Sequence, residues 1–501
     1  MSLPGALRRA SALVFVLLFC LSALAQAPAT RSDEEKRQYR QAMEQADQKI
    51  ADEVTAHSQL VKNLEYLTTE IGPRLTGTPQ MQKASQWTLQ EFQKYGLDAH
   101  LETFQIAQAW TRGVDTAEIA APIQRRVRIR SFGWSKATPG EITAPVVYVK
   151  GSTLEDYQAF RGKLKGAIVI HDPSKLPPEN EVPENAYDAV IAPRHGVPPQ
   201  RSSDFFRQRQ QINKFWQDEG VAVLLTDSGK TDSLINMGSA SQYKPSEIPM
   251  AFVSHENYSL LYRLAQAGPV TMTINLTGTF SKGPVPASVT VAQIKGSEHP
   301  DEQVILGAHL DSWDLGQGAL DNGTGAMAVL EAARTLKALG WQPKRTITFL
   351  LFYGEEQGLV GSREYVKKHE AEMPKVDAML VHDTGTGKVF SIALQDLYET
   401  ASLMTEIYTP IEEVFDMQPL STRIFGSSDH VPFGDAGVPA YFCIQKPAHY
   451  REAHHTQTDT FDKVIPDEVN EGAAVLASWA WNVSEMPESL PHHAARQGRG
   501  E

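Results

Sequence analysis

Val304-Ile305-Leu306-Gly307-Ala308-His309-Leu310-Asp311 decides how this chain folds: an unbroken apolar run ends abruptly in an imidazole and a carboxylate. Apolar residues without polar alternation mark a strand buried on both faces, as in a sheet covered by helices on each side. Two later stretches repeat the arrangement. Thr346-Ile-Thr-Phe-Leu-Leu-Phe352 leads to Glu355-Glu356, and Ala378-Met-Leu-Val381 leads to Asp383. Between them Asn322-Gly323-Thr324-Gly325 opens a helical stretch to about Leu339, and further helices are expected near Arg363 and Tyr398. This rhythm, from about Val289 onward, predicts an α/β fold: a doubly wound, mostly parallel sheet flanked by helices. Ligands of such sheets bind in the crevice at the carboxyl ends of the strands.

That crevice is where the chemistry-bearing residues fall. His309, Asp321, Glu356, Asp383 and His455 form a mixed imidazole and carboxylate set of the kind that suits Zn²⁺, with Glu355 beside the third. Peptide hydrolysis with two metals needs one carboxylate shared between the ions, and one further acid and one imidazole for each. It also needs an unligated carboxylate to move the water proton to the leaving amine. The sequence provides all six groups. Asp311 stands two residues after His309, on the same side of an extended segment, so its carboxylate is expected to accept the free ring N–H of His309 and fix the tautomer.

The rest of the chain sets the context. At 501 residues two domains are expected, and 41% hydrophobic with 21% charged residues is ordinary globular composition. Arg8-Arg9, the apolar run Ala10–Leu24 and Ala23-Leu24-Ala25 read as an export signal over residues 1–25, its apolar run shorter than a membrane span. The destination is then the periplasm or the medium, with no membrane attachment after cleavage. Its removal takes away two arginines and moves the formal charge from −13 by two, to −15, which argues against a nucleic-acid partner. Only Cys443 of the two cysteines survives, so no internal disulfide is expected. A helix is predicted from Asp33 to about Leu67 and another from Gln80 to Tyr95. Residues 26–130 are assigned to the N-terminal part of the catalytic domain and 131–270 to an inserted, largely β domain. Within it the proline-rich stretch Pro173–Pro199 is a candidate lid or interface loop, and His171, His195 and His255 are isolated and read as surface or structural. The catalytic domain resumes over 271–486, and 487–501 is expected to be a disordered tail.

Gly-Ala-His309-Leu-Asp311-Ser-Trp, Gly-Ala-Leu-Asp321-Asn-Gly-Thr-Gly, Gly-Glu355-Glu356-Gln-Gly, His-Asp383-Thr-Gly and His454-His455-Thr-Gln-Thr-Asp-Thr together resemble metallopeptidase family 28, the co-catalytic dizinc exopeptidases. Ile71-Gly-Pro-Arg-Leu-Thr-Gly and Ser428-Asp429-His430-Val-Pro-Phe match family patterns as well. The resemblance implies two Zn²⁺ per chain, with Asp321 bridging, Glu356 and His455 completing one site, and His309 and Asp383 the other. Glu355 would be the general base, and His455 rather than His454 the ligand. It also implies a cis peptide at Asp321–Asn322, a protease-associated insert, short peptide substrates and a possible homodimer. Carboxypeptidase action on dipeptides with free termini is the expected activity. Aminopeptidase action with the same metal set and, in another class, a non-catalytic binding protein on this fold remain as alternatives. Tyr450 and His430 fall in segments expected to wall the substrate or simply to pack.

Overall fold

A computed structural model of the chain describes residues 31–176, 203–425 and 428–495. The export signal, most of the candidate lid together with His195, and the last six residues of the tail lie outside the described residues.

Seven strands form the main sheet: β1 (Asp98–Ile106), β2 (Val285–Ile294), β3 (His299–His309), β4 (Arg345–Phe352), β5 (Val376–Val381), β6 (Val389–Ala393) and β7 (Ala440–Gln445). Their spatial order is β1-β2-β4-β3-β5-β7-β6. The quartet β4-β3-β5-β7 is parallel, and antiparallel strands close both edges. The sheet is therefore mixed, with its parallel part at the centre where the apolar runs predicted it. All eight residues of β4 are buried. Alternate residues feed two separate cores: Val304, Leu306, Phe349 and Leu380 pack on one side, Ile305, Leu350, Phe352 and Met379 on the other. Helices cover both faces. On the first lie α1 (Asp33–His57), α2 (Pro79–Lys94) and α3 (Thr324–Ala338), and on the second α4 (Val360–Lys368). The first face also carries α5 (Ala401–Val414) and α6 (Pro466–Glu485).

The predicted first helix is broken. α1 ends at Ser58, whose hydroxyl accepts the Leu60 N–H at 3.1 Å, while the Gln59 N–H donates to Glu331 at 3.0 Å. The break re-aims the following turn so that Leu60 and Leu64 reach the core against α3.

The insert differs from expectation in extent and in kind. Its eight-stranded sheet begins with Thr116–Ala121, which the sequence reading placed in the catalytic domain, and ends with Val270–Asn275. These two segments pair with each other, so neither belongs elsewhere. Four of the strands (Ile142–Tyr148, Ile168–Ile170, Val223–Asp227, Met250–Val253) are parallel, with the helices Ser203–Asp218 and His255–Ala267 among them. The insert is thus itself α/β. Both helices pack apolar residues against the insert sheet, Phe215 and Trp216 from the first and Tyr258 and Leu261 from the second. Just outside its sheet the chain closes a two-stranded stem, Trp110–Thr111 against Thr279–Phe280.

Residues 487–495 are also unlike the disordered tail expected. Leu490 is buried and its N–H donates to Asp377 at 2.9 Å, and Arg345 reaches the Ser489 hydroxyl at 3.2 Å. Among the described residues no helix is long and apolar enough to cross a membrane.

Candidate metal centre

The parallel strands deliver their carboxyl ends to one crevice. His309 is the last residue of β3, Glu355-Glu356 follow β4 by three residues, and Asp383 follows β5 by two. Asp321 sits in the irregular turn that precedes α3, and His455 follows the short helix Tyr450–Ala453 beyond β7. All five positions converge. His309 Nε2 lies 3.1 Å from Asp383 Oδ1 and 3.4 Å from Asp321 Oδ1. His455 Nε2 lies 2.9 Å from Glu356 Oε2 and 3.5 Å from Asp321 Oδ2. The two oxygens of Asp321 therefore face two different donor groups.

These spacings fit a metal. Two ligand atoms on one tetrahedral zinc stand about 3.3 Å apart, given bonds of about 2.0 Å. Two of the carboxylate oxygens, Asp321 Oδ2 and Glu356 Oε1, are buried without a hydrogen-bond donor. A buried carboxylate oxygen left without a partner is costly, and a cation removes that cost. His454 stays close, its ring stacked on His455 with Nε2 at 4.0 Å from Asp321, but His455 alone also reaches Glu356.

Residues 290–480 match the sequence profile of Peptidase family M28. Carboxypeptidase Q of Mus musculus is 30% identical over 441 residues, covering 86% of this chain and 86% of its own. The chain belongs to peptidase family M28. The crystal structure of an M28 peptidase precursor from Shewanella amazonensis superposes with a TM-score of 0.74 at 27% identity, over 90% of this chain and 99% of that one. A zinc aminopeptidase from Bacillus subtilis shares the fold, with a TM-score of 0.64 at 21% identity over 86% and 96% of the two chains.

In this M28 peptidase the peptide Asp321–Asn322 is cis. Asn322 is buried, its amide donating to the His382 carbonyl at 2.8 Å and accepting from the Gly325 N–H at 3.1 Å. Asn322-Gly323-Thr324 is formally an N-glycosylation sequon, but the burial of Asn322 puts it out of reach. A side chain at Gly325 would run into Asn322 and the His382 carbonyl, so this close approach needs glycine.

Asp311 acts differently from the expectation. Its carboxylate is 3.6 Å from His309 Nδ1, and its backbone carbonyl, at 3.0 Å, takes that position instead. The carboxylate accepts the N–H groups of Gly354, Glu355 and Glu356 at 2.8, 3.1 and 3.3 Å, and the Thr76 hydroxyl at 3.1 Å. One residue thus orients the imidazole through its main chain and the acidic loop through its side chain. The reason is steric direction: the loop after β4 turns back over β3 and presents three N–H groups to the carboxylate.

Burial raises the Glu355 carboxyl well above its ordinary pKa; Asp383, Glu356 and Asp429 push the same way against His309. Burial also raises Glu356, with Asp321 adding to the effect. Burial works against a His309 cation, yet Asp383, Asp311 and Asp321 outweigh it and hold its pKa well above the usual value. His455 is pushed down, chiefly by burial. The cluster is short of positive charge.

Three supporting residues were not singled out in the sequence. Arg74, fully buried, donates to the carbonyls of Leu310, Gln317 and Gly318 at 2.7, 3.0 and 2.7 Å, stapling the loop that follows His309. Asp459 accepts the N–H groups of Leu320 and Asp321 at 2.6 and 3.3 Å. The Trp313 indole donates to Glu356 Oε2 at 2.7 Å. Each lies inside a quoted motif, but only the fold reveals its partner. His430, by contrast, donates its Nε2–H to the Phe425 carbonyl at 2.8 Å and packs on Phe442.

Proposed function

We propose that the chain is an exported dizinc exopeptidase that hydrolyses short peptides, dipeptides with free termini above all, releasing the C-terminal residue. The observation that carries this reading is the division of Asp321: one oxygen faces the His309–Asp383 pair and the other the Glu356–His455 pair. Asp321 would then be shared between two ions, with His309 and Asp383 holding one and Glu356 and His455 the other. When bound, the two ions polarise the scissile carbonyl and acidify water, which makes water nucleophilic near neutral pH.

Glu355 performs the proton transfer. Its carboxylate takes a proton from the attacking water as the oxygen bonds to the carbonyl carbon, and returns it to the amide nitrogen as the C–N bond breaks. Asp311 holds the Glu355 backbone, so base and ligand Glu356 move as one unit. The carboxypeptidase mode is supported by the likeness to carboxypeptidase Q along most of both chains. An aminopeptidase would use the same donor set, and the shared fold of the Bacillus subtilis enzyme keeps it as the second reading.

Hydrolysis of one dipeptide in free, N-blocked and C-amidated forms by the zinc-loaded protein separates the two. A requirement for the free carboxylate supports the carboxypeptidase mode; a requirement for the free amine alone assigns an aminopeptidase. Glu355→Gln is the control, expected to keep its metal and lose on the order of 10²–10⁴ in turnover. Near-full turnover in that variant would remove Glu355 from the mechanism.

A further inference from the structure

We propose that the insert segment Lys230–Met237 positions His455, so that the Glu356–His455 half of the metal site depends on the insert while the His309–Asp383 half does not. The inference rests on the assignment of Glu356 and His455 to one ion. The two halves are built differently. His309 and Asp383 extend from neighbouring central strands, and His309 is 1% exposed. His455 stands on a loop, its side chain 28% exposed, with a backbone φ of +56°. Non-glycine residues hold that left-handed conformation only where their surroundings impose it.

The insert supplies that imposition. The Met237 N–H donates to the carbonyl of His455 itself at 2.9 Å. Lys230 Nζ donates to the carbonyls of Arg451 and His454 at 2.8 and 3.2 Å, at the end of the short helix that leads into His455. No carboxylate pairs with this half-buried ammonium in the described contacts; its two partners are main-chain carbonyls of the ligand loop. Gln457 ties the far side, accepting the Ile235 N–H at 2.8 Å and donating to the Ser233 carbonyl at 3.3 Å. The insert reaches the other ligand of this half only through Trp313, against whose ring Gly133 packs and whose indole N–H donates to Glu356. Lys230 is therefore a positioning residue: it acts on the ion through His455.

Cobalt titration of the metal-free full chain, followed by calorimetry and by the visible absorption of each bound ion, tests this. Wild type is expected to bind two ions. Lys230→Met should weaken one of them tenfold or more, the usual cost of losing a group that orients a ligand, and leave the other unchanged. Lys230→Arg should restore most of the loss. Gln457→Ala, which leaves Lys230 in place, should weaken the same ion. In a His455→Ala background, Lys230→Met should not change the remaining ion's affinity. Equal weakening of both ions, or no weakening of either, overturns the proposal. A wild-type chain that binds a single ion overturns the two-metal reading beneath it.

Discussion

Asp321 does the most with a single side chain. It offers Oδ1 to His309 and Oδ2 to His455, while its own N–H is held by Asp459. Asp321→Ala should therefore lower the occupancy of both ions together, measured by metal analysis after dialysis; loss of only one would show that the carboxylate is not shared. At this scale the sequence was informative for residues whose chemistry is rare and whose place is fixed by a strand end, as with His309, Glu356 and Asp383. It was uninformative about partners. That the Asp311 carboxylate would meet three N–H groups of the loop after β4, rather than the ring two residues before it, follows from the path of a different strand. Arg74 is the extreme case: a lone arginine in a Gly-Pro turn whose side chain serves carbonyls more than 230 positions away.

Among the elements, β1 and α4 are joined by a compact ion cluster. Glu102 on β1 accepts from His369 at 2.9 Å and pairs with Lys368 at 2.9 Å, both at the end of α4. Burial alone would raise the Glu102 carboxyl, but the His369 and Lys368 cations outweigh it and hold the pKa at about 2. The same hydrogen bond raises His369 above its ordinary value of 6.5. The signs define a window. The Glu102 contribution is complete above about 4.5 and is lost as the pH falls toward 2; the His369 contribution is complete below about 6.5 and is lost as the pH rises through its elevated folded value. Glu102→Gln should cost about 1–2 kcal/mol near pH 5.5, by urea denaturation, and less at pH 3 and at pH 8.5. A difference that does not vary with pH would refute the ionic account. The elements themselves were legible where periodicity was strong, as in the apolar strands of the parallel quartet and in α3. The break at Ser58 was not, because it is fixed by a contact with the remote Glu331 rather than by local pattern.

Across the whole molecule the two ends of the described chain lie together. Arg31 pairs with Glu406 and Glu488 at 2.8 and 2.7 Å, and α1 packs along α6. Buried between these helices is Asp47, one oxygen accepting from Asn482 at 3.1 Å and the other without a partner. Burial raises its pKa to about 7 against the Asn482 hydrogen bond. A carboxyl raised in the folded state costs stability as pH climbs from about 4 to about 7, because the unfolded chain releases the proton first. Asp47→Asn should consequently raise stability by about 1–3 kcal/mol at pH 8 and change little at pH 4, read from thermal melts at both. Equal effects at the two pH values would place the cause in packing. The stem at Trp110 and Phe280 carries a different consequence, one of timing. Ile106 of β1 faces Val285 of β2, so within the main sheet the whole insert is the loop of a hairpin. Closing so long a loop costs only about 3 kcal/mol more than a four-residue turn. On the ribosome, however, roughly 180 residues separate the two strands, and at 5–20 residues per second β1 waits about 10–35 s for its partner to be made. The insert has time to fold first and bring the two strands side by side, so that the catalytic sheet is completed around a domain already in place.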